Sequence, residues 1–179
     1  MALLHTGDRI CASCGGMVGK HRRGCLGDDV VEVISVYTRQ QAIDDGILVD
    51  CEQAPMGEMR RQLLKWPLAM TATAFHRYVW PIDEENLPPG QSLEGRFWDV
   101  VWMFHAAVKG AVPAERIDPC NLLFDFYCIV ADPALSSNET IDATARSGPE
   151  GMRLVTLKAV SGPGDDGDPV MTFMLPEED

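Results

Sequence analysis

One stretch limits the fold more than any other. Residues 92–109 read as the longest helix of the chain, with Ser92 placed to cap it and Gly110 to end it. Leu93, Phe97, Val100, Val101, Phe104 and Val108 form one apolar stripe at helical spacing, and Trp98, Trp102 and His105 form a second beside it. A helix apolar over so wide an arc is expected to be largely buried, with Trp98 and Trp102 as core residues. It therefore needs a second layer of structure around it. With 179 residues, 46% of them hydrophobic, the chain has material for about one domain with a real core. No apolar run approaches the ~20 residues of a membrane helix. The N-terminus turns polar at His5, without a signal-peptide core, so a cytoplasmic setting with reduced thiols is expected.

The covering layer is legible on both sides of that helix. Residues 30–37 are β-branched and compact and read as a strand. Thr38 is a good N-cap for a short helix over 39–45, closed by Gly46, and 47–51 read as a short strand. Pro55 opens a helix carrying Met56, Met59 and Leu63. Pro67 interrupts it, and Leu68, Ala72, Phe75 and Val79 share one face of a second helix. Three prolines and three acids make 81–91 a loop. Beyond the long helix, 122–131 place Phe124, Phe126, Cys128 and Val130 on one side of a strand. The runs 154–160 and 170–175 flank a Gly/Pro/Asp loop and form a β-hairpin. A β-α-β start, a helical middle and an antiparallel end specify an α+β fold. Its mixed or antiparallel sheet has three main helices covering one face. Residues 1–29, rich in glycine and cysteine, read as a small irregular head, which leaves 30–179 as the α+β domain.

The head carries the clearest chemical pattern. Cys11, Cys14, His21 and Cys25 have the spacing C-x2-C-x6-H-x3-C, and a Cys3His set could hold one tetrahedral zinc ion. A segment so poor in core residues needs such a staple to be ordered. Cys51 or His5 could replace His21, and a redox CxxC or free thiols are the other readings of the same residues. Cys51, Cys120 and Cys128 sit in apolar runs, where cysteine behaves as a small hydrophobe. Lys20, His21, Arg22 and Arg23 could touch phosphates. Yet residues 1–25 sum to only +3 against a chain total of −12, which leaves −15 on 26–179 and argues against nucleic acid. From Ser161 onward there are six acids and no base. Such a body steers toward basic surfaces, although solubility alone explains charge of this kind. Asp165, Asp166 and Asp168 lack the spacing of a calcium loop and are explained by a turn. No nucleophile triad, carboxylate pair or HExxH pattern is present.

Four stretches together resemble a bacterial domain-of-unknown-function family whose members are carried on plasmids, phages and other mobile elements. They are residues 37–50 (YTRQQAIDDGILVD), 95–103 (GRFWDVVWM), 155–160 (VTLKAV) and 162–167 (GPGDDG). The resemblance spans about 30–179 and implies an accessory protein of a mobile element; it implies no activity. Joined to the charge, it makes protein binding the leading expectation, with an acidic inhibitor of a basic host factor as its sharpest form. Two alternatives stand beside it. Tyr37, Thr38, Ile43, Gly46 and Leu48 faintly resemble the opening of some ADP-ribosyltransferases, although Val36 and Thr38 flank Tyr37 where those enzymes carry a histidine. The other is a zinc-bearing nucleic-acid module.

Overall fold

The computed structural model describes residues 9–11, 30–32, 37–81, 90–129, 146–147 and 152–178. In chain order the elements are β1 (Arg9–Cys11), β2 (Val30–Glu32), α1 (Arg39–Asp44), β3 (Leu48–Asp50), α2 (Met56–Leu63), β4 (Leu68–Thr71), α3 (Ala72–Tyr78), α4 (Leu93–Val108), β5 (Ala114–Arg116), β6 (Asn121–Ile129), β7 (Arg146–Ser147), β8 (Met152–Pro163) and β9 (Pro169–Met174). The main sheet runs β3-β4-β9-β8-β6-β5, with β7 on β8 beyond the end of β9. Every pairing in it is antiparallel except β4 with β9. This is a mixed open sheet with helices, an α+β architecture.

The hairpin of β8 and β9 forms as its loop chemistry demands. Pro163 pairs with Pro169, and the turn between them is closed by Gly164 N–H donating to the Asp168 carbonyl at 2.7 Å. Gly167 takes φ +86°, which side chains disfavour. A Cβ on Gly164 would lie 2.9 Å from Val170 Cγ1, so a side chain there would displace the strand. β8 then pairs with β6 from Asn121↔Val160 to Ile129↔Met152, which gives the sheet its long centre.

Alternation along these strands sends Phe124, Phe126, Val155, Leu157 and Phe173 to one face. There they meet Phe97, Val100, Val101 and Phe104 of α4, Phe75 and Tyr78 of α3, and Met56 of α2. The rings of Phe104, Phe124 and Phe173 contact one another with centroids 4.9–5.3 Å apart. Each fully buried phenylalanine contributes about 2–3 kcal/mol by area.

Three expectations need correction. Residues 68–71 are strand, not the first turn of a helix; the helix begins at Ala72. Leu68, Ala69 and Met70 are all fully buried, covered on both faces between β3 and β9. A strand buried on both sides shows no alternation, so Leu68 and Ala72 matched a helical period by accident. Second, β2 does not enter the main sheet. It pairs with β1 in a separate two-stranded sheet, Cys11 opposite Val30, so the expected β-α-β start is not one unit. The three main helices do cover one face: α2, α3 and α4 pack on the aromatic side, while Arg39 of the short α1 donates to Thr172 Oγ1 on the opposite one. Third, α4 buries only one of its two stripes, as described next.

Candidate binding surface on helix α4

Ser92 caps α4 as expected, its hydroxyl accepting from Gly95 N–H at 3.1 Å. The stripe through Phe97, Val100, Val101 and Phe104 lies in the core, but Val108 and Trp102 are exposed, Trp102 at 49%. Trp98 is half-buried. The expectation that Trp98 and Trp102 are core residues is therefore wrong. The sheet presents a single face to α4, and a straight helix can turn only one arc of about 100° or a little more toward it. The second stripe is left outside and packs on itself. Trp98 stacks on Trp102 (6.0 Å, 25°), and Trp102 stacks on His105 (6.2 Å, 29°). His105 Nδ1–H donates to the Leu63 carbonyl at 3.0 Å, which ties this ladder to the end of α2.

A cleft of about 260 Å³ opens on one side of the ladder, lined by Trp102, Met103, Tyr127 and Met152 above Arg96 and Cys128. Tyr127 and Met152 are 46% and 38% exposed, so three large apolar groups meet water at this mouth. Arg96 is buried and joins three elements: it donates to the Tyr78 carbonyl (2.9 Å), the Ile129 carbonyl (2.9 Å) and Cys128 Sγ (3.0 Å). Asp99 stands at the same cleft; desolvation holds its carboxyl above the ordinary range, while Arg96 pulls the other way. Arg96 was missed as a site residue, yet it had a signal. It stands four residues before Val100 on the apolar stripe, where an arginine needs a buried set of acceptors.

A second cleft, of about 410 Å³, lies on the other side of the ladder. It is bounded by the C-terminal ends of α2 and α4 and by the β5–β6 turn.

The sequence-predicted site residues are dispersed. Cys11 ends β1, while Cys14, His21, Cys25 and His5 lie outside the described residues. Cys51 is fully buried in the core, and burial, with Asp50 and Glu52 nearby, pushes its thiol well up. Cys128 is likewise buried, but Cys120 is exposed. Tyr37, Thr38 and Arg39 are engaged in building the fold. Tyr37 donates to Asp45 at 2.7 Å, a bond that raises its phenol. Thr38 forms a capping box with Gln41. Neither cleft described above includes these three.

Asp165 also acts within the fold. Its two carboxylate oxygens accept from Arg39 N–H (2.8 Å) and Gln40 N–H (2.9 Å), so the 162–167 turn caps the helix in 37–50. Two of the four stretches that carried the family resemblance thus meet in space. Glu178 is committed too, accepting from Thr71 Oγ1 and Leu175 N–H, both at 2.7 Å.

No curated protein and no solved structure matches the chain. A family model described as a family of unknown function, DUF6573, matches residues 28–179, nearly the span of the four stretches and without most of the cysteine-rich head. On that match the chain belongs to the DUF6573 family.

Proposed function

We propose that this protein is an accessory protein of a mobile element, carried on a phage or plasmid, that works in the cytoplasm by binding a protein partner through the outer face of α4. The observation that carries the reading is Trp102, 49% exposed and stacked between Trp98 and His105 at the lip of a cleft shared with Tyr127. Tryptophan, tyrosine and arginine are the residue types that dominate binding energy at interfaces. The ladder is held in place before any partner arrives, so little ordering entropy is lost on docking. The 260 Å³ cleft beside it would receive one side chain of the partner.

The charge of −15 on 26–179 supports a partner with a basic surface, such as a host factor inhibited by this acidic body. Affinity capture from cells carrying the element tests the reading. Wild-type protein is expected to retain a partner that Trp102→Ala loses, with both proteins equally folded. Added salt should weaken retention steeply, because the Debye length is only ~8 Å at physiological ionic strength. Equal retention by Trp102→Ala, or retention indifferent to salt, would remove the ladder or the charge from the account.

The cysteine spacing of the head supports zinc on Cys11, Cys14, His21 and Cys25 as part of the same proposal.

A further inference from the structure

The larger cleft differs in charge from the rest of the chain. Its wall carries Lys65, Lys109 and Arg116, together with His105, and no aspartate or glutamate. This occurs in a protein with 27 acidic and 15 basic residues. Among the described residues none of the three cations is in an ion pair. Two of them follow helix ends: Lys109 is the C-cap of α4, and Lys65 comes just after the C-cap of α2. Each helix C-terminus offers roughly half a negative charge, which a lysine there offsets. Arg116 serves no helix end, since it comes from β5. Asp118, just behind this wall, accepts from the Cys120 and Asn121 amides and adds one negative charge, so three cations against about two negative charges leave the cleft positive by roughly one.

The interior is apolar, with Phe104, Leu122 and Met171 within and Trp66 at the mouth. Its volume of about 410 Å³ falls in the range of roughly 300–1,000 Å³ typical of small-molecule sites. We propose that the cleft between the ends of α2 and α4 and the β5–β6 turn binds a small organic anion, with an apolar body seated on Phe104 and Met171 and its carboxylate, sulfonate or phosphate held by Lys65, Lys109 and Arg116. The acidic surface around it repels polyanions, so the cleft selects compact anions over nucleic acid.

The test uses 8-anilinonaphthalene-1-sulfonate as the anion and N-phenyl-1-naphthylamine as its uncharged counterpart, each titrated calorimetrically into the full chain. The sulfonate is expected to bind one per chain, and the neutral dye about tenfold more weakly or worse. Lys109→Glu with Arg116→Glu should weaken the sulfonate by at least about tenfold and leave the neutral dye unchanged. Both positions are exposed, and circular dichroism verifies that the variant is folded. Cys120, exposed and on the same wall, locates the site. Saturating sulfonate should slow its alkylation by N-ethylmaleimide, read peptide by peptide. Absence of stoichiometric binding, equal affinity for the two dyes, indifference to the charge reversal, or unprotected Cys120 would each overturn the proposal.

Discussion

Asp165 and Asp166 are neighbours in one turn and have different work. Asp165 satisfies two orphan amides at the start of α1, whereas Asp166 is exposed. Asp165→Ala is expected to cost about 1–2 kcal/mol, the usual loss on removing a helix cap. Asp166→Ala should stay within about 0.5 kcal/mol of wild type. Urea denaturation of the two variants distinguishes a turn that caps a helix from one that only carries charge. Asp99 makes a prediction in pH. Desolvation raises its carboxyl, so the folded chain keeps this proton to higher pH than the unfolded chain does. Between the ordinary aspartate range and the raised value, stability therefore falls as pH rises, and above it the cost is complete. Asp99→Asn is expected to melt higher than wild type at about pH 7, with the gap closing below about pH 3.9. A gap unchanged with pH in thermal melts would assign the effect to packing instead.

At the scale of the element, α4 is two-sided in energy as well as in position. Phe104 sits in the trio with Phe124 and Phe173, and Phe104→Ala should cost about 3–5 kcal/mol through lost burial and the cavity left behind. Trp102, half in water, gives up its stacking and a partial burial when truncated, about 1–3 kcal/mol. Measured side by side, the smaller side chain should matter more to folding and the larger more to binding. α2 shows how one element is anchored by charge. Arg60, buried, pairs with Glu52 and donates to the Leu64 carbonyl at 3.1 Å, and Glu52 Oε1 also accepts from Leu68 N–H at 2.9 Å. The end of α2 and the start of β4 are thereby held together across Pro67. Gly57 permits the approach, since a Cβ there would lie 2.1 Å from the Glu52 carbonyl oxygen.

For the whole molecule, the head and the body make separate predictions. If zinc sits on Cys11, Cys14, His21 and Cys25, metal analysis of purified protein should find about one zinc per chain. Chelation should release it while the far-UV spectrum of the body persists, because the aromatic core among the described residues lies within 51–175. Protein purified free of zinc at neutral pH would end that assignment. Among the described residues no helix is long and apolar enough to cross a membrane.

The sequence by itself determined the local pieces. Thr38, Ser92, Gly46 and Gly110 mark helix ends through backbone chemistry confined to a few residues, and all four lie where that chemistry places them. The β8–β9 hairpin was legible for the same reason, its loop residues and flanking apolar runs being adjacent in the chain. Tertiary structure alone decided what those pieces face. Nothing local marks Leu68–Thr71 as a strand, because its extended form is imposed by β3 and β9 on either side. Hydrophobicity could not tell Phe97 from Trp102, since both are apolar at helical spacing, and only the position of the single sheet face buries one and leaves the other in water. The capping of α1 by Asp165 and the meeting of Lys65 with Lys109 and Arg116 at one cleft join residues tens of positions or more apart. Such meetings depend on how the chain is routed through the sheet, and a pattern read along the chain contains no term for that.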